Sequence, residues 1–142
     1  MEELFVEAIF WSLGYGSRET YQRILNRLWE ESADEYEPIL LDLEARNYAG
    51  AMDYLRYITP GHIDSDNEDI FGKCLMRRLQ ILYKELDIET FGSVAYGIWN
   101  TLPGSINHKQ PFFILNHADD NLSFGNEWGC RKLYESAFSY YD

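Results

Sequence analysis

The feature that most limits what this chain can become is the spacing of its apolar residues, which recur at intervals of three and four from end to end and rarely alternate singly. A 3.6-residue period places such positions on one helix face, whereas a half-buried strand needs a period of two. Leu4, Phe5, Ala8 and Ile9, with Leu13 a turn further on, form the first stripe, which Gly14 and Gly16 end. Ser17 is placed to cap a second helix in which Tyr21, Ile24, Leu25, Leu28 and Trp29 face inward and Arg18, Arg23 and Arg27 lie on other faces. Ile39, Leu40 and Leu43 belong to a third. Its start fits either a Ser32-Ala33-Asp34-Glu35 capping box or Glu37 followed by Pro38 in the first helical position.

A polar joint at Arg46-Asn47 leads to a fourth helix, with Tyr48, Ala51, Met52, Leu55 and Ile58 inward and Pro60-Gly61 as its stop. Its small residues Ala49, Gly50 and Ala51 imply that a neighbouring helix comes close. The stretch from Leu43 to Leu55 resembles one hairpin of a tetratricopeptide repeat, but no second copy follows at a fixed period, so no solenoid is expected. Phe71, Cys74, Leu75, Leu79, Leu82 and Leu86 predict the longest helix, and Phe91, Val94, Ala95, Ile98, Trp99 and Leu102 another, interrupted by Gly92 and Gly97 and stopped by Pro103-Gly104. The pattern lapses from Ser105 to Gly125. Within that stretch, residues 111–115 fit a short buried strand or a helical turn, between which periodicity does not decide. Cys130, Leu133, Tyr134, Ala137, Phe138 and Tyr141 restore a helical face. These stripes predict an all-α fold of six or seven helices in an irregular bundle, and a length of 142 residues predicts a single domain over 1–142.

Charge narrows the function. Twenty-four acidic residues against 12 basic ones give a formal net charge of −12, which disfavours nucleic acid and anionic lipid and favours a basic partner. Solubility alone is the competing reason for such a surface. No stretch nears the roughly 20 apolar residues of a membrane span, and Met1-Glu2-Glu3-Leu4 is acidic where a signal peptide is basic, so a cytoplasmic protein without a membrane partner is expected. Cys74 and Cys130 show no metal-binding spacing and are expected to be reduced core thiols.

Motifs for chemistry are sparse. Asp64-Ser65-Asp66-Asn67-Glu68-Asp69 begins like a calcium loop, but Asp69 stands where the turn needs Gly and Leu75 where a bidentate Glu belongs. A helix start capped by Asp66 or Asn67 suits it better. Asn116-His117-Ala118-Asp119-Asp120-Asn121 is the densest acid/base cluster, yet His62 and His108 offer no ligand spacing to it, and a structured turn accounts for its Asp and Asn content. Phosphate loops, dinucleotide fingerprints and nucleophile elbows are absent, and Gly14-x-Gly16 reads as a helix stop. No catalytic residue, metal or cofactor is therefore assigned. Glu30, Glu31, Asp34, Glu35 and Glu37 crowd eight positions with no base among them. They fit a solvated linker or a negative docking surface to which Trp29 and Tyr36 add aromatic anchors. Lys73, Arg77 and Lys84 share one face of the long helix, with Arg78 beside them, and read as its solvent side.

The tail from Pro111 through Phe112-Phe113-Ile114-Leu115-Asn116-His117-Ala118-Asp119-Asp120-Asn121-Leu122-Ser123-Phe124 to Gly125, followed by a Trp-containing helix, resembles small acidic immunity proteins of bacterial polymorphic-toxin systems. That resemblance implies an antidote that binds and neutralises a cognate basic toxin, such as a nuclease. The expected interface is Trp29, Glu30, Glu31, Asp34, Glu35, Tyr36 and Glu37, with Asp119 and Asp120 as a second element. A DNA-mimic inhibitor, a helical adaptor and a metal-dependent enzyme built on His117, Asp119 and Asp120 are the alternatives.

Overall fold

Seven consecutive residues, Leu4 to Phe10, are buried in α1 (Glu2–Ser12), so this helix is enclosed on every side rather than along the single stripe its spacing suggests. The computed structural model describes residues 1–57 and 63–142. In it α1 packs on α2 (Arg18–Arg46), α3 (Tyr48–Arg56), α4 (Glu68–Glu85) and α5 (Ile88–Thr101). Two single-turn helices, α6 (Ile114–His117) and α7 (Asp120–Ser123), and α8 (Glu127–Phe138) complete an all-α fold. Among the described residues there is no strand, and the undecided stretch 111–115 consists of turns running into α6. Ile58, Pro60, Gly61 and His62 lie outside the described residues.

Five large apolar side chains of α1, namely Leu4, Phe5, Val6, Ile9 and Phe10, contribute about 2 kcal/mol each by leaving water, which drives the helix inward. Glu7 goes in with them at 5 % exposure. Its carboxylate accepts the Ser17 backbone N–H (3.1 Å) and pairs with Arg78 (3.5 Å), which donates to the Tyr15 carbonyl (2.8 Å) and lies over the Phe10 ring (4.7 Å). One buried charge thus ties α1, the α1–α2 turn and α4 together. The turn itself is tight: Tyr15 N–H reaches back to the Phe10 carbonyl and Gly14 N–H to that of Trp11, with Gly14 at φ +86°. This is a Schellman stop that favours glycine at position 14. Gly16 is required by contact, since a Cβ there would sit 2.5 Å from the Trp11 nitrogen.

Ser17 caps α2 as its sequence predicts, accepting from Thr20 N–H at 3.1 Å. The second and third expected helices run on as one 29-residue element, but Ser32 and Tyr36 have non-helical backbones, so the chain kinks at both of the anticipated boundaries. Pro38 explains the second kink: it has no N–H for the Asp34 carbonyl, and its ring crowds that turn. α4 is consequently the longest helix without a kink. Asn47 (φ +54°) turns the chain sharply into α3, held by the Tyr21 hydroxyl on its carbonyl at 3.0 Å. Gly50 then lies close to α2, where an added Cβ would meet Arg46 Cβ at 3.3 Å. Edge-on contacts of Phe91 with Tyr83 (5.1 Å) and Tyr134 (4.8 Å) bind α5 to α4 and α8.

Removing either member of the Glu7–Arg78 pair leaves the other partly buried and uncompensated. Glu7→Ala and Arg78→Ala are each expected to cost about 3 kcal/mol, and the double variant clearly less than their sum. Urea denaturation of the three proteins checks this, and strict additivity would show that the pair does not couple α1 to α4.

Candidate functional site

The acidic run occupies the kinked middle of α2. Glu30, Glu31, Asp34, Glu35 and Glu37 are all exposed, and among the described residues none forms an ion pair. The nearest base in the sequence, Arg27, is committed to Glu3. The two kinks matter here because the non-helical backbones at Ser32 and Tyr36 interrupt the regular spiral on which a straight helix would repeat these carboxylates. Trp29 and Tyr36 are half-buried and pack against the core. The Trp29 indole N–H donates to Glu44 at 3.1 Å, and burial followed by the Glu35 carboxylate raises the Tyr36 phenol above its ordinary range. Each therefore presents one side to solvent from a fixed position.

Asp119 and Asp120 lie in a separate place, between α6 and α8. Asp120 is exposed, while Asp119 is half-buried with its Cβ against Gly92 of α5, where an added methyl would come within 3.0 Å. The fully enclosed Tyr134 hydroxyl faces the same glycine and has no hydrogen-bond partner among the described residues. Burial, and next the Asp120 charge, push the Asp119 carboxyl above the usual range. The His117 ring packs at a tilt against Phe113, with ring centres 5.1 Å apart. Among the described residues no group of three or more His, Cys, Asp or Glu side chains gathers as a metal site would require.

Three sequence expectations are corrected in detail. Asn67 stands just before α4, but its side chain turns back to accept the Asp64 N–H (2.6 Å) rather than capping an amide inside the helix. Cys74 is only half-buried and lines a cleft of about 420 Å³ with Val6, Ile24, Arg77 and Ile81, whereas Cys130 is a core thiol that burial raises to about 11. Arg78 faces Glu7 instead of solvent, while Lys73, Arg77 and Lys84 stay exposed. A depression of about 910 Å³ is lined from Arg18 to Glu30 by α2 alone; it is the space between long side chains on one helix, not an enclosed site.

Phe124 and Trp128 escape a sequence reading focused on carboxylates, although the signal was present. Trp128 falls off the face defined by Cys130, Leu133, Tyr134 and Ala137, and Phe124 precedes a glycine break. They are 84 % and 72 % exposed. Comparison with known protein families, with curated proteins and with solved structures finds no match to this chain.

The sign of the Asp119 shift gives a pH test. Its folded pKa lies above the unfolded value, so the folded state holds the extra proton, and stability falls as pH rises from the unfolded toward the folded pKa. Asp119→Asn is expected to flatten the stability profile just above the normal carboxylate range and to leave the protein more stable at neutral pH. Thermal melts of both proteins across that range measure it, and parallel profiles would contradict it.

Proposed function

We propose that this chain is an acidic protein-binding domain that neutralises a basic partner, in the manner of an immunity protein covering a toxin. The observation that carries this reading is the exposed carboxylate cluster at the bend of α2, none of whose members forms an ion pair among the described residues. Leaving five like charges together costs stability through self-repulsion, and a cationic surface laid over them relieves that cost. The same arrangement attracts such a partner before contact, because a concentrated field of one sign orients and accelerates encounter. The overall charge of −12 adds to the attraction at long range.

Trp29 and Tyr36 suit the flanks of this surface, since aromatic groups already held by packing lose little freedom on binding. The Asp119–Asp120 corner contributes a second acidic element. Exposed Asp120 is free to meet a cation, while Asp119 is engaged with α5. No helix among the described residues is long and apolar enough to cross a membrane.

The partner can be recovered by co-purification from the native host at low salt. Replacing Glu30, Glu31, Asp34, Glu35 and Glu37 together by Ser is expected to slow its association about tenfold at low ionic strength and to flatten the salt dependence of the on-rate. An on-rate unchanged in low salt would exclude this surface.

A further inference from the structure

The cleft beside Cys74 combines apolar walls with a charge that the fold does not use. Both α2 and α4 pack on α1, and the cleft, about 420 Å³, takes its lining from all three helices. Val6 of α1, Ile24 of α2 and Ile81 of α4 supply the apolar walls, and Ile81 is 53 % exposed. Burial, and next the charges of Glu3 and Glu2, raise the Cys74 thiol, so it stays neutral and extends the apolar wall. A volume of this order is that of small-molecule sites, in which apolar walls hold the ligand and a few polar groups orient it.

Charge decides what fits. Four charged side chains line the cleft, namely Glu3, Glu7, Arg77 and Arg78, and three of them are satisfied within the fold. Arg27 takes Glu3, while Arg78 takes Glu7, donates to the Tyr15 carbonyl and lies over the Phe10 ring. Arg77 is left over, since among the described residues it forms no ion pair. Arg23 adds to the surplus at the rim: its guanidinium rests on the hydroxyl of Thr20, another lining residue, at 3.3 Å, and it likewise forms no ion pair among the described residues. The unmatched charge is therefore positive. A carboxylate answers it best, because the planar guanidinium fork can donate two parallel N–H groups to its oxygens.

The overall charge of −12 opposes an anion mainly at a distance, and exposed charges are screened beyond roughly 8 Å at physiological ionic strength. The surroundings also set the orientation. An adjoining depression shares Glu3, Ile24 and Cys74 with the cleft and carries Glu31 of the α2 bend, which has no ion pair among the described residues. A carboxylate is thus favoured on the Arg77 side, with the apolar body lying over Ile24 and Cys74.

We propose that this cleft binds a small amphipathic carboxylate, an apolar body bearing one negative charge, with Arg77 as its anchor and Val6, Ile24, Cys74 and Ile81 around its body. The site goes beyond the proposed binding of a basic protein and uses none of the carboxylates of the α2 bend.

Octanoate is the probe, titrated into the full chain by calorimetry, with octan-1-ol as an uncharged probe of the same length. Octanoate is expected to saturate a single site and to bind about tenfold more tightly than octan-1-ol, the difference a charge-assisted hydrogen bond makes. Arg77→Gln should weaken octanoate about tenfold and change octan-1-ol by less than about twofold, whereas Ile81→Ser should weaken both about fivefold. Both side chains are exposed, so the variants should melt like the parent, and the comparison of the two probes on the unaltered chain requires neither variant. In the isotope-labelled protein, octanoate should move the amide resonances of Ile24, Cys74 and Ile81. Absence of saturable binding, octan-1-ol binding as tightly as octanoate, octanoate affinity unmoved by Arg77→Gln, or resonance shifts centred away from these three helices overturns the assignment and leaves the proposed protein-binding function standing.

Discussion

A single buried carboxylate governs how the parts of this molecule meet. Apolar burial would carry α1 into the core without help, since its large side chains contribute on the order of 10 kcal/mol, more than any ion pair nets. Burial is non-directional, however, and says little about how α1 is rotated or which elements flank it. Glu7 supplies that information. Its oxygens need partners, and the partners come from the start of α2 and the middle of α4, while Arg78 returns to the Tyr15 carbonyl and the Phe10 ring. The turn holding Gly14 and Gly16, from which α2 starts, is held by the same contacts.

Much of this architecture was legible because local chemistry and periodicity agree. Ser17, the Arg46-Asn47 joint and the stripes of α4, α5 and α8 are all where the spacing places them. What escaped was information held in distant partners. Glu7 looks like a solvent-facing carboxylate until Arg78, far along the chain, is seen beside it, and so α1 reads as amphipathic when it is enclosed from Leu4 to Phe10. Asn67 escaped for a related reason: its side chain had two local amides to choose from, and took the one behind it. For the candidate site, the acidic run was plain in the sequence, but the pair of kinks that interrupts it was visible only as two competing helix starts. The exposed aromatics were hidden among 23 aromatic residues, most of which a core of this kind consumes.

The surface that results is segregated. Arg18, Arg23 and Arg27 lie on the first part of α2 and the unpaired acids on its middle, so charge changes sign along one helix. Paired acids such as Asp42 behave differently: the Arg46 guanidinium, which also reaches Asp53, holds the Asp42 carboxyl below its usual range. Among the described residues the bend acids form no such pair. Surface ion pairs contribute little to stability in any case, so the difference bears mainly on recognition.

The central claim is that a partner seats on the bend of α2. Amide hydrogen exchange of the chain, alone and in its complex, tests it most directly. Slowed exchange concentrated in residues 30–37 is the predicted footprint. Slowing confined to the face of α3 or to the arginine-bearing first half of α2 would contradict the account and place the partner elsewhere.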